Sequence, residues 1–259
     1  KDLISELDYQ LEKDLNKLGN HIVLCAYTGL GGIGKTQLAL NYIKNTKRKY
    51  ILKAWFPSED KDLLLKKYIE LAKQLGYSDT NFSKTKIINF IKNYLETNPG
   101  WIIVYDNVDN YQDIKDFLPE KGGHIIITTR QRIWPNSFKI LSIDVMSDYD
   151  SLNLLGELLE RKIDNELHYA KDLIKLLGNL PLALAQAGAY IKQCGITISE
   201  YIKLYKEHEL DMLETRSLSE GIEHDPVAVT WDISINKIIK SDNNHKTNLL
   251  ALEILTICS

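Results

Sequence analysis

The sequence predicts an α/β fold: a parallel five-stranded sheet with helices on both faces, followed by a small bundle of helices. Three observations predict it. Short, continuously apolar runs alternate with segments of helical period up to about residue 146, the pattern of right-handed βαβ crossovers around a parallel sheet. Those runs are apolar at successive positions, as strands covered on both faces must be. Beyond residue 147 apolar residues recur at helical spacing, and no strand-like run intervenes.

Each element has its own signal. "HIVLCAY" (21–27) reads as the first strand and "TQLALNYIK" (36–44) as the first crossover helix, with Ala39, Leu40 and Ile43 on one face. "YILKAWF" (50–56) is a second strand, stopped by Pro57. In "DLLLKKYIELAKQLG" (62–76), Leu64, Tyr68, Leu71 and Leu75 share a helical face, and Gly76 is placed to end the helix. "KIINFIKNYLE" (86–96) is a further amphipathic helix, stopped at Pro99-Gly100. "WIIVYD" (101–106), "HIIITT" (124–129, opened by Gly122-Gly123) and "FKILSI" (138–143) complete the five strands. Three helices then follow within 147–160, 165–178 and 180–195, and a fourth in "SEYIKLYKEH" (199–208), where Ser199 is the expected N-cap. The polar stretch 214–226 reads as a linker, and "VAVTWDISINKII" (227–239) and "TNLLALEILTICS" (247–259) as two more helices. The expected domains are therefore 1–146, 147–215 and 216–259.

Composition narrows the function classes. Of the 259 residues 44% are hydrophobic, enough for a packed core, and the net charge of −3 argues against a dedicated nucleic-acid binder. The densest basic run, Lys44, Lys47, Arg48, Lys49 and Lys53, reads as a solvated helix end. Cys25, Cys194 and Cys258 are odd in number and far apart, so neither a disulfide scaffold nor a zinc site is expected, and a reducing, cytoplasmic compartment fits best. The sequence shows no apolar run of membrane-spanning length and no signal peptide, so no membrane partner is expected. It opens at Lys1 and reads as a piece of a longer protein.

The chemistry is carried by "GLGGIGKT" (29–36), which matches G-x-x-x-x-G-K-[ST] between a strand and a helix. Consecutive backbone N–H groups must curl around phosphate oxygens, and glycine adopts the required angles freely. Gly29, Leu30, Gly31, Gly32, Ile33, Gly34, Lys35 and Thr36 form this cradle; Lys35 can reach the β- and γ-phosphates, and the Thr36 hydroxyl can ligate Mg²⁺. Chance gives such a match on the order of once in a hundred chains of this length. Asp106, closing "WIIVYD", stands at a strand's carboxyl end, where α/β sheets bind ligands, and is the expected second Mg²⁺ residue. Arg130, just past "HIIITT", reads either as a sensor of a γ-phosphate or as a surface arginine.

Taken together, "GLGGIGKTQLAL", "WIIVYDNVD", "HIIITTR" and "LGNLPLALAQAGAYI" resemble the motif set of NB-ARC domains, the nucleotide switches of the STAND class of P-loop ATPases, with members that carry tetratricopeptide repeats most alike. The resemblance covers nearly the whole chain, and the closing "LLALEILTICS" is similar to the start of the family's winged-helix domain. It implies a P-loop NTPase sheet, a helical lid and a truncated winged helix. It implies ADP in the resting state and ATP, with Mg²⁺, in an active state able to form homo-oligomers. It assigns phosphate binding to residues 29–37, Mg²⁺ to Thr36 and Asp106, sensing to Arg130, and a wall beside adenine and ribose to Pro181. A bland reading of Pro181, the first residue of a helix, is compatible with that role.

Departures from the family pattern bear on catalysis. Asn107 stands where many members carry a second Asp that orients the attacking water, so Lys35, Asp106, Asn107 and Arg130 form the expected catalytic group, with slow or absent ATP hydrolysis. Asn179 replaces a glycine before Leu180-Pro181, and Gln37 replaces a frequent Thr. The rest of the winged-helix and any repeat region lie beyond this sequence. Two alternatives stay open: a working P-loop ATPase or kinase, and an AAA+-type nucleic-acid loader.

Overall fold

The computed structural model describes residues 3–12, 20–26, 31–78, 83–216 and 225–241, and divides into two compact units, Lys1–Asp144 and Val145–Ser259. The first holds α1 (Leu3–Glu12), β1 (Asn20–Ala26), α2 (Lys35–Asn45), β2 (Leu52–Pro57), α3 (Lys61–Gln74), α4 (Lys84–Thr97), β3 (Trp101–Val108), the short α5 (Tyr111–Ile114), β4 (Gly123–Thr129) and β5 (Lys139–Ile143). The five strands form one sheet in the order β2-β3-β4-β1-β5, every neighbouring pair parallel. All carboxyl ends therefore share one rim, where the loops leaving β1, β2, β3 and β4 open.

The apolar runs are strands because they are covered on both sides. Trp101 to Tyr105 of β3 and Ile125 to Ile127 of β4 are fully buried; Trp101, Ile103, Tyr105, Ile125 and Ile127 share one core cluster with Phe56, Tyr68, Ile91 and Leu95. Each such side chain contributes about 1.5–3 kcal/mol relative to exposure. A polar cluster in this core is self-satisfied: Tyr68 and Tyr105 share a hydroxyl–hydroxyl bond, and the Tyr68 hydroxyl donates to the Phe117 carbonyl at 2.8 Å.

The amino ends of the strands are sealed. Trp101 Nε1 donates to the Leu95 carbonyl at 2.8 Å. The chain passes so close here that a Cβ on Gly122 (φ 102°) would stand 2.7 Å from that same oxygen, and one on Gly123 would strike the Trp101 ring and carbonyl, so only glycine fits at both positions. Beside them, the Tyr50 hydroxyl lies 2.9 Å from His124 Nδ1, and Asp8 of α1 accepts from Arg48 Nε and the Tyr42 hydroxyl, each at 2.8 Å. Burial, helped by the Arg48 charge and opposed by Asp8 and the Leu11 carbonyl, pushes the His124 pKa down to about 4. Arg48 corrects the reading of the basic run as a solvated helix end: its guanidinium is ion-paired with Asp8, and Lys53 Nζ donates to the Ile43 carbonyl at 2.7 Å.

The second unit is helical: α6 (Asp148–Leu159), α7 (Leu167–Leu176), α8 (Pro181–Cys194), α9 (Ile198–Arg216) and α10 (Pro226–Ser241). Helices α6 and α8 approach so closely that a Cβ on Gly188 would meet Leu158 Cβ at 2.9 Å. Helix α10 packs on α8 and α9, and His208 Nδ1 lies 2.7 Å from Asp232 Oδ2 between the last two. The N-cap expected at Ser199 is instead Thr197: the Thr197 hydroxyl accepts from the Glu200 amide at 3.2 Å, and Glu200 Oε2 accepts the Thr197 amide at 2.7 Å. This reciprocal pair satisfies two amide donors, which Ser199 could not do. Helix α9 runs on to Arg216, into the stretch read as linker; the remainder of that stretch to residue 224 and the winged-helix segment 247–259 lie outside the described residues.

Candidate functional site

Sequence and fold converge at the carboxyl rim of the sheet. The glycine loop follows β1; Gly29 and Leu30 lie outside the described residues, and the rest of the loop is in place. Gly32 (φ 77°) and Gly34 (φ 96°) take left-handed angles, while Ile33 between them is buried and anchors the loop. Gly34 heads α2 without any side-chain cap. The first amides of a helix have no intrahelical acceptor, so those of Lys35, Thr36 and Gln37 face outward at the positive end of the helix dipole, a geometry suited to phosphate.

Two predicted residues, Asp106 and Arg130, meet this loop. Thr36 Oγ1 donates to Asp106 Oδ1 at 2.8 Å, across 70 residues of sequence. Arg130, exposed just beyond β4, brings its guanidinium to the loop: a Cβ on Gly31 would sit 3.9 Å from Arg130 Nη2. The Lys35 ammonium is half-buried, and its pKa is lowered, first by burial and then by the Arg130 charge, against the opposing pull of Cys25 and Asp106. Two cations held this close repel unless an anion lies between them.

The end of β3 is bent to serve the rim. Tyr105 pairs with Ile127 and Val108 with Thr129, so β3 carries one residue more than β4 over this interval, a β-bulge at Asp106-Asn107. Asn107 takes φ 59°, a left-handed angle that asparagine tolerates. Neighbouring strand residues ordinarily face opposite sides of a sheet; the bulge instead leaves Asp106 half-buried and Asn107 exposed, ahead of the buried Val108.

Two residues escaped the sequence reading. Thr128 Oγ1 donates to Asp106 Oδ1 at 2.5 Å and accepts the Asn107 amide at 2.8 Å, so it fixes both residues of the bulge. Glu59, past the end of β2, accepts from Asn107 Nδ2 at 2.9 Å. A search of the last residues of each strand and those just beyond it would have flagged both, since "TTR" and "SED" occupy these places. Pro181 lies in the other unit, where it is the first residue of α8, after Gly178 (φ 62°) and Asn179 (φ 55°). Asn179 thus takes the left-handed turn that glycine would otherwise supply, and its Nδ2 donates to Asp148 Oδ1 at 2.9 Å.

The donor set fits a hard cation. Asp106 Oδ1 accepts from two hydroxyls while the side chain stays half-buried, and a carboxylate beside a hydroxyl is the kind of oxygen pair that Mg²⁺ takes when phosphates supply further ligands. Among the described residues no group of three His, Cys, Asp or Glu could hold a metal alone. No helix among them is long and apolar enough to cross a membrane.

Residues 6–161 match the family model of the NB-ARC domain. The chain is 30% identical over 254 residues to a nucleotide-binding leucine-rich repeat (NLR)-like protein of Hyaloscypha variabilis, covering 84% of this chain and 25% of that protein. It is 25% identical over 224 residues to a probable disease resistance protein of Arabidopsis thaliana, covering 75% of this chain and 25% of that one. The chain thus spans 25% of the length of these curated relatives. Its fold is similar to that of a signal transduction ATPase with numerous domains (STAND) protein with a tetratricopeptide repeat sensor from Pyrococcus horikoshii, with a TM-score of 0.50 at 20% identity over 95% of this chain and 38% of that one.

Proposed function

The chain belongs to the NB-ARC family, and on that footing we propose that it is the nucleotide-operated switch of a longer cytoplasmic signalling protein. ADP would occupy the site at rest; exchange for ATP would favour a second arrangement able to associate with further copies. The names of the two longer relatives favour a signalling setting of this kind.

The observation that carries the reading is the 2.8 Å bond between Thr36 Oγ1 and Asp106 Oδ1. It joins the phosphate loop to the one carboxylate on β3, which supports reading the two as the halves of a Mg²⁺–phosphate site. Residues 31–37 would hold the phosphates through backbone amides and the Lys35 ammonium. Thr36 and Asp106 would hold Mg²⁺, which when bound neutralises charge on the β- and γ-phosphate oxygens. Arg130 would respond to the γ-phosphate, the group that distinguishes ATP from ADP, and Pro181 would offer a rigid wall to the base. Asn107 can donate a hydrogen bond to water but cannot take its proton at neutral pH, which suits a protein whose output is a state rather than a product.

Thermal melts with and without ADP and Mg²⁺ test the reading. Ligand at a hundred times Kd stabilises by about 2.7 kcal/mol. A rise of several degrees in Tm is expected; no shift, in protein shown to be free of nucleotide, would contradict it.

A further inference from the structure

We propose that Glu59 is the carboxylate that orients and deprotonates the attacking water in ATP hydrolysis at this site, with Asn107 as the residue that positions it; this rests on the nucleotide-binding reading above.

The inference starts from a chemical gap. In-line attack on a γ-phosphorus needs a group that orients water and accepts its proton, and Asn107 offers only a neutral amide. The structure places a carboxylate one hydrogen bond away: Glu59 Oε2 accepts from Asn107 Nδ2 at 2.9 Å. From the phosphate loop, Thr36 bonds Asp106, the bulge carries the chain to Asn107, and Asn107 bonds Glu59. The carboxylate therefore stands past the end of the neighbouring strand, one side-chain hydrogen bond from the residue that follows Asp106.

The backbone that holds Glu59 is fixed on both sides. The Ser58 amide donates to the Asp106 carbonyl at 2.7 Å, tying the end of β2 to β3. On the other side Asp60 caps α3 by accepting from the Leu63 amide at 2.7 Å. The nearby acids are committed or misplaced. Asp60 is that cap, Asp113 is paired with Lys61 at 2.7 Å, and Asp109 lies past the buried Val108 at the end of β3. Glu59 is exposed and takes a neutral amide as partner, and among the described residues no cation pairs with it.

In the step itself, the water oxygen bonds to the γ-phosphorus as one of its protons passes to the Glu59 carboxylate. The bond from that phosphorus to the β,γ-bridging oxygen breaks, and its electron pair leaves on ADP. The proton on Glu59 then passes to solvent. The bond to Asn107 has a second consequence: the carboxylate must turn from the amide to reach water, which keeps turnover slow without abolishing it.

The test uses Glu59→Gln and the exchanged pair Glu59→Gln/Asn107→Asp in the 259-residue chain, with three readouts. Equilibrium titration with labelled ADP and ATP should give wild-type affinities for both variants, since neither side chain bonds loop residues 31–37. The Asn107 side-chain amide resonance should move in ligand-free Glu59→Gln. Single-turnover hydrolysis of γ-labelled ATP should be slow but measurable in wild type, fall by about a hundredfold in Glu59→Gln, and recover in part in the exchanged pair, where a carboxylate returns at position 107. Wild-type rates in Glu59→Gln would overturn the proposal, as would a wild-type chain that binds ATP and does not hydrolyse it. A wild-type chain that binds neither nucleotide would overturn the underlying site instead, and the titration separates that outcome from the others.

Discussion

The two ends of β3 and β4 are built from the same two strands and treat polar groups in opposite ways. At the amino end Trp101 bonds the Leu95 carbonyl, Tyr50 meets His124 and Arg48 pairs with Asp8, so the indole N–H, the imidazole and the guanidinium all have partners. At the carboxyl end, Asp106, Asn107 and Arg130 are half-buried or exposed, glycines replace side chains, and a helix begins without a cap. Buried polar groups that are paired in this way contribute to stability. Groups directed outward contribute little until a ligand arrives. The difference teaches that the base of this sheet carries its stability and the rim its chemistry, so damage to one end should leave the other measurable.

The largest expected effect is at the base. Trp101→Ala should cost about 3–5 kcal/mol, the range for a large buried side chain, read as a lower urea midpoint, while the folded fraction still binds nucleotide with unchanged Kd. A parallel loss of affinity in the folded protein would break the comparison.

Acid probes the same end. The unfolded His124 takes up its proton near pH 6.5 and the folded one only near 4. The stability from keeping this ring neutral is therefore full above about pH 6.5 and is lost as pH falls towards 4. The limit is about 3 kcal/mol for a shift of this size. His124→Asn should flatten the stability–pH slope between 4.5 and 6.5; an unchanged slope would assign the dependence to other groups.

The rim should show the reverse pattern. Lys35→Ala removes a charge-assisted contact worth about 1.5–3 kcal/mol, so affinity for ADP and ATP should fall about tenfold or more with circular dichroism unchanged. Arg130→Ala should act more narrowly, weakening ATP and sparing ADP in a competition titration. Equal loss of both would make Arg130 a structural part of the loop, and no loss of either would return it to the surface arginine that the sequence alone also allowed.

Much of this was legible in the sequence because it is local. The five strands announce themselves as apolar runs, and "GLGGIGKT" places a phosphate loop between a strand and a helix without any knowledge of the sheet. What escaped depends on register. Glu59 and Asn107 are 48 residues apart, and nothing in either segment says that Pro57 pairs with Asp106. The bulge at Asp106-Asn107 is a mismatch between two strands, so it cannot be seen in one. Arg48 read as a solvated member of a basic run because its partner, Asp8, is 40 residues away. Thr197 is a different case: "TISE" carries both halves of a capping pair, and the local signal was present but assigned two residues late.

The central claim is that Thr36 and Asp106 act as one Mg²⁺-dependent unit with the phosphate loop, and a double-mutant cycle on nucleotide affinity tests it most directly. Titration of labelled ADP into wild type, Thr36→Val, Asp106→Ala and the double variant, each with and without Mg²⁺, yields the coupling free energy between the two side chains. The account expects Mg²⁺ to tighten ADP binding in wild type, each single variant to lose that gain, and the double variant to lose no more than either one. Affinity that ignores Mg²⁺ in wild type, or losses that simply add, would contradict it.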